Sequence, residues 1–257
     1  MRFPHPDSIG RRWLLTLLFC LAPLIAAAPA LADSPERTEP PASILFVGNS
    51  FTFYNNSIYT HLRRLLMAED PSTRESIFLK SMTISGAVLA DHEGGLGQML
   101  ELRPWDVIVL QGHSREAIEA ERRPGLDDAA GRFVEAIRDR GARPVLFMTW
   151  AYADQPEMTP RLEQAYTELG RKLDVMVIPV GLAFADALAG RPELALHVAD
   201  KVHPSVAGTY LAGSVFYAAL YGKDPGPLDF DAGLDPGDAA FLRRIAWQTV
   251  NRYYHGQ

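Results

Sequence analysis

The sequence predicts a three-layer α/β/α sandwich built on a five-stranded parallel sheet. Short apolar runs alternate with amphipathic stretches from residue 43 to residue 180, the pattern of repeated βαβ units. One run, Asp106-Val107-Ile108-Val109-Leu110, is apolar at successive positions, as a strand covered on both faces requires. Setting aside residues 1–32 of the 257 leaves 225, enough for one large domain with a full core.

Those first residues read as a secretory signal peptide. Arg2, Arg11 and Arg12 precede an uncharged apolar run from Trp13 to Ala28, and Ala30-Leu31-Ala32 fits a small-x-small cleavage site. The run is shorter than the roughly 20 residues of a membrane span. The expectation is therefore an exported protein, periplasmic or extracellular, with cleavage near Ala32 and no stable membrane span afterwards. Arg11-Arg12 is a loose match to a twin-arginine signal. Cys20, the single cysteine, leaves with the signal, so neither disulfides nor cysteine chemistry are expected. Arg2, Asp7, Arg11 and Arg12 leave as well, which moves the net charge from −6 to −8. An acidic chain without a basic run does not suit nucleic acid, whose binding rests on neutralising phosphates. Residues 33–41, with Pro35, Pro40 and Pro41, read as a flexible leader, and residues 42–257 as a single domain.

Each element has its own signal. Residues 43–47 form strand one. Residues 57–68 carry Ile58, Leu62, Leu65 and Leu66 at helical spacing. Residues 76–82 form strand two, 96–102 a short helix and 106–110 strand three. Residues 126–140 put Ala130, Phe133, Val134 and Ile137 on one side of a helix, with Gly141 past its end. Residues 144–148 form strand four. Thr159 and Pro160 predict the start of a helix over 159–173, and 175–180 form strand five. Residues 205–221 read as a helix stopped by Gly222, and 236–253 as a last helix capped by Asp235. Loops after the strands then gather at one edge of the sheet, where open α/β sheets place their sites.

Four such loops carry chemistry. Strand one ends abruptly at Gly48-Asn49-Ser50-Phe51-Thr52, a strand-to-helix turn that exposes Ser50. Ser85-Gly86-Ala87 follows strand two, Gln111-Gly112-His113-Ser114 follows strand three, and Asp200-Lys201-Val202-His203-Pro204 follows strand five. A serine at its free pKa is a weak nucleophile and needs an adjacent base. Histidine titrates near working pH, and a carboxylate on its other nitrogen fixes the tautomer. Asp200 and His203, three residues apart before a helix, can fold onto one another. Acyl transfer also needs donors for the oxyanion: the Ser50 N–H, the Gly86 N–H and the Gln111 side-chain amide are the candidates. Asn55, His113, Trp150 and Tyr152 are candidate pocket residues, the aromatic pair as walls for a sugar ring. Asp91-His92-Glu93 and His61 lack a regular metal-ligand spacing.

In this order the four blocks resemble the SGNH (GDSL-like) hydrolase superfamily. Gly48-Asn49-Ser50 is similar to the serine block, in a Gly-Asn-Ser variant. Gly86 is similar to the glycine block and Asp200-x-x-His203 to the last block. The resemblance runs from Ile44 to about Tyr221 and implies a flavodoxin-like sandwich and ester hydrolysis without metal or cofactor. The third block departs from the superfamily's Gly-x-Asn-Asp and is similar to the Gln-Gly-Glu-Ser loops of carbohydrate acetylesterases. This leaves the third oxyanion donor open among Gln111, His113 and Ser114. The expected reaction is hydrolysis of small acyl esters, acetyl first, on a small-molecule or carbohydrate alcohol. A short-chain lipid ester or thioester, and a carbohydrate-binding protein without turnover, are the rival readings.

Overall fold

Strand β1 (Ser43–Gly48) is buried along its whole length because both of its faces are covered. Ile44 and Phe46 enter one apolar core and Leu45 and Val47 the other, the period-two alternation of a strand. The computed structural model describes residues 40–256. The expected signal peptide and most of the proline-rich leader lie outside the described residues.

After β1 the chain turns into α1 (Ser50–Phe53), a 3₁₀ turn (Tyr54–Asn56), α2 (Ile58–Glu69) and the short α3 (Thr73–Ser76) before β2 (Phe78–Thr83). A second 3₁₀ turn (Leu89–His92) leads into α4 (Glu93–Leu102), and β3 (Val107–Leu110) follows. Then come α5 (Arg123–Asp139), β4 (Arg143–Phe147), α6 (Met158–Leu173), β5 (Met176–Ile178), α7 (Val180–Gly190), α8 (Val206–Tyr221) and α9 (Pro236–His255). All strand pairings are parallel, in the order β2-β1-β3-β4-β5. That is the flavodoxin-like order, which reverses between β1 and β3 and opens a crevice at their carboxyl ends.

The two cores sit on opposite faces of this sheet. One packs α2, α7, α8 and α9 against Ile44, Phe46, Val109 and Phe147. The other packs α4, α5 and α6 against Leu45, Val47, Ile108 and Leu110. Helix ends follow local chemistry: Ser205 caps α8 by accepting from the Gly208 N–H, and Asp235 caps α9 by accepting from the Gly237 and Asp238 N–H groups. Gly222 closes α8 in the left-handed region.

Two expectations need correction. Thr159 does not cap α6, which already starts at Met158 and has no side-chain cap. Helix α7 replaces a stretch that had no predicted element. It starts directly after Pro179 without a polar cap, and Val180, Gly181, Leu182, Ala183, Phe184 and Ala187 are buried, so no amphipathic stripe marks it. Gly181 lets α7 press against the end of β4. An added Cβ there would collide with the Thr149 backbone carbonyl and lie 3.3 Å from Trp150 Cα. Gly181→Ala should therefore cost about 1–3 kcal/mol of stability, read from the urea midpoint. An unchanged midpoint would show that α7 does not depend on this close approach.

Candidate active site

Ser50 is the first residue of α1, where backbone N–H groups have no intrahelical acceptor. The preceding Asn49 caps the helix, its side-chain oxygen accepting from the Phe51 N–H at 3.1 Å. This geometry turns the chain sharply out of β1 and leaves Ser50 9% exposed, at the wall of a cavity. The cavity holds about 210 Å³ and is lined by Ser50, Gly86, His113, Ser114, Tyr152 and His203 among others. It is smaller than the roughly 300–1,000 Å³ of sites for drug-sized ligands.

Ser50 Oγ lies 2.9 Å from His203 Nε2, and His203 Nδ1 lies 2.6 Å from Asp200 Oδ2. The other carboxylate oxygen of Asp200 accepts from the Val202 N–H at 2.8 Å and the His203 N–H at 2.9 Å. The backbone N–H of His203, then that of Val202, then the His203 ring hold the Asp200 carboxyl down at about 2. Asp200 is therefore an ionised acceptor, which puts the ring proton on Nδ1 and leaves Nε2 to accept from the Ser50 hydroxyl.

The loop carrying this pair is anchored on several sides. Val198 and Ser205 donate backbone bonds across it to His203 and Leu196. The Trp150 indole N–H donates to the Val202 carbonyl at 3.1 Å, the Ala153 N–H to the Lys201 carbonyl at 2.8 Å, and the Asn55 amide to the Pro204 carbonyl at 2.8 Å. Asn55 also donates to Thr209 Oγ1 at 2.8 Å. It is thus a bracket between two loops and does not line the cavity. It achieves this with φ +49°, and Asn56 and Ser57 follow at φ +68° and +71°, a run of left-handed non-glycine residues that the surrounding bonds must hold in place.

Trp150 also takes a different place from the one expected. It is 0% exposed, stacked between Phe51 at 4.1 Å and Phe184 at 4.4 Å, and so supports the site from below without offering a face to a sugar. Tyr152 does line the cavity, and its hydroxyl pairs with Ser114 Oγ at 2.8 Å.

Gln111 is the main correction among the oxyanion candidates. Its amide N–H₂ donates to Asn49 Oδ1 at 2.8 Å and to the Gly112 carbonyl at 2.5 Å. Its oxygen accepts from the Asn49 N–H at 3.1 Å and from Thr52 Oγ1 at 2.8 Å. Fully buried and engaged at both ends, it is turned away from the cavity. Gly86 stays on the wall. It adopts φ +70° with open space beside it, so glycine is required there for its backbone conformation and not for room.

Two participants were not foreseen. Tyr54 stacks on the His203 ring at 4.4 Å, nearly parallel at 9°. Glu116 is buried behind the third block, where one carboxylate oxygen accepts from the His113 N–H at 2.7 Å and the Leu89 N–H at 3.2 Å. Burial pushes its carboxyl up against the downward pull of those two donors. In sequence Glu116 reads as a solvated charge and Tyr54 as one more loop aromatic, so neither carried a signal. His92 and His61 are buried with their rings against backbone carbonyls. Among the described residues, no group of three or more His, Cys, Asp or Glu is placed to hold a metal ion.

No protein-family model matches the chain, and no curated protein does. Solved structures do. A protein from Slackia heliotrinireducens assigned to the SGNH hydrolases is 26% identical, with 66% of this chain and 94% of that one covered and a TM-score of 0.55. A DUF4886 family protein from Bacteroides uniformis is 20% identical, with 82% and 95% covered and a TM-score of 0.65. A variant of Axe2, an acetyl xylan esterase from Geobacillus stearothermophilus, is 18% identical, with 66% and 90% covered and a TM-score of 0.53. The parallel sheet, its strand order and these likenesses together place the chain in the SGNH (GDSL-like) hydrolase superfamily.

Proposed function

We propose that this chain is an exported serine esterase, with residues 42–257 as its catalytic domain, that removes small acyl groups, acetyl first, from carbohydrate alcohols. The observation that carries the reading is the chain of contacts from Ser50 Oγ to His203 Nε2 and from His203 Nδ1 to Asp200. The sub-drug-sized cavity suits a short acyl group. The carbohydrate alcohol rests on the likeness in fold to an acetyl xylan esterase. No helix among the described residues is long and apolar enough to cross a membrane.

In this reading Ser50 Oγ attacks the ester carbonyl carbon while its proton passes to His203 Nε2. The carbonyl π pair moves onto oxygen, where the Ser50 and Gly86 N–H groups receive it. Collapse restores the carbonyl and expels the alkoxide, which takes the proton back from His203. Water then repeats the sequence on the acyl-enzyme, with His203 again accepting and returning one proton. Asp200 stays ionised throughout. The ring of Tyr54 lies over the imidazole that takes up the proton.

Two outcomes are expected. Ser50→Ala should abolish hydrolysis of p-nitrophenyl acetate and labelling by a fluorophosphonate. Wild-type protein no more active than this variant would sink the esterase reading. The second concerns Asp200, whose folded carboxyl lies below its unfolded value. Its ionised form is favoured by folding, a contribution present above the unfolded pKa and lost only as pH falls through about 2. Asp200 is thus charged across the working range. Asp200→Asn should lower kcat/KM on the order of 10³–10⁴-fold at neutral pH. A loss confined to the acid side would contradict this.

A further inference from the structure

The Gln111 amide is committed to Asn49 and Gly112 and the Ser114 hydroxyl is paired with Tyr152, while the ring of His113 lines the cavity. Its backbone N–H is bound by the buried Glu116 carboxylate at 2.7 Å. Its Nδ1 faces Arg122 Nη1 at 3.1 Å and the Arg115 N–H at 3.4 Å. A guanidinium has no lone pair to give and does not deprotonate in proteins, so Nδ1 must be the accepting nitrogen. The single proton of the neutral ring then belongs to Nε2. The ring is half-buried on the cavity wall with Ser50, Gly86 and His203.

The charges around it act in the same direction overall. Burial, then the positive charge of Arg122, hold His113 below its ordinary value, with Arg115 adding to this and Glu119 opposing it. Glu119 pairs with both arginines, which fixes Arg122 in place. A cation at this position would attract the oxyanion more strongly but would compete with Ser50 for it as an acid. A neutral N–H only donates.

We propose that His113 is a catalytic residue that touches the substrate: its Nε2–H, oriented as a donor by Arg122, gives the third hydrogen bond to the ester carbonyl oxygen as that oxygen becomes negative. The proposal rests on Ser50 as the nucleophile. No proton leaves His113 during the reaction. It differs in this from His203, which gains and loses one in each half-reaction. Arg122 is a positioning residue that acts through the His113 ring.

The test combines nuclear magnetic resonance with kinetics on the full chain. In protein labelled with ¹⁵N at histidine, the His113 ring, assigned by its disappearance in His113→Gln, should show a protonated Nε2 and a bare Nδ1. The reverse pattern, or a doubly protonated ring at neutral pH, would overturn the proposal. With p-nitrophenyl acetate, His113→Ala should lose on the order of 10²-fold in kcat with KM little changed. His113→Gln, which keeps a donor, should recover part of that loss. Arg122→Ala should cost several-fold in the wild-type background and less than twofold in His113→Gln. If His113→Ala, folded by circular dichroism, retains kcat within about twofold while Ser50→Ala is dead, His113 is not a donor and the esterase reading stands. If wild type neither turns over the ester nor takes a fluorophosphonate, the esterase reading fails and this proposal fails with it.

Discussion

The site depends on one buried pair of amides. Asn49 Oδ1 accepts from the Phe51 N–H and from Gln111 Nε2, while Asn49 Nδ2 donates to the carbonyls of Ala87 at 3.0 Å and Gly112 at 3.3 Å. Gln111 Oε1 in turn accepts from the Asn49 N–H and Thr52 Oγ1. Every donor of both amides is engaged and each oxygen has two partners, so the network is complete. It joins the loops after β1, β2 and β3 in a region closed to water. Losing either amide would strand several buried polar groups, at about 1–3 kcal/mol each. Gly48 belongs to the same constraint, since an added Cβ would meet Gln111 and lie 2.7 Å from Thr52 Oγ1. In Gly-Asn-Ser, the glycine makes room for the amide pair, the asparagine ties the loops together, and the serine is left facing the cavity.

The site therefore has two halves with different origins. Ser50 and the groups around it are set by the interlocked loops after β1, β2 and β3. His203 and Asp200 arrive separately, on the loop ahead of α8, and meet the first half at the Ser50–His203 contact. Between the halves lie the Phe51–Trp150–Phe184 stack, of which Phe51 also lines the cavity, and the Asn55 bracket, and together they fix the distance.

Much of this was legible in the sequence, for identifiable reasons. Strands β1 and β3 announce themselves because a strand buried on both faces is apolar without interruption. The amphipathic α2, α5 and α6 show a stripe because each has a wet side. Helix α7 has almost none, so periodicity is blind to it. Ser50, Asp200 and His203 could be picked out because residue type and position after a strand mark them, and the structure brings the three side chains within hydrogen-bond distance of one another. Gln111, Trp150 and Asn55 were misjudged for one shared reason: sequence gives a side chain's donors but not the direction in which they point. Glu116 was missed because a buried carboxylate that binds backbone has no pattern distinguishing it from a surface charge.

Asp200 and His203 lie on a single tight loop, and the bonds between them are internal to it. That loop is fastened to the body by separate contacts at Val202, Lys201 and Pro204. If those fastenings loosened, the loop could swing away with its acid and base still correctly paired. The gap to Ser50 would open, together with the contacts that Tyr54 and Phe51 make with the His203 ring. The loop is thus a preassembled unit, and in the proposed reaction its docking against Ser50 is what joins the two halves.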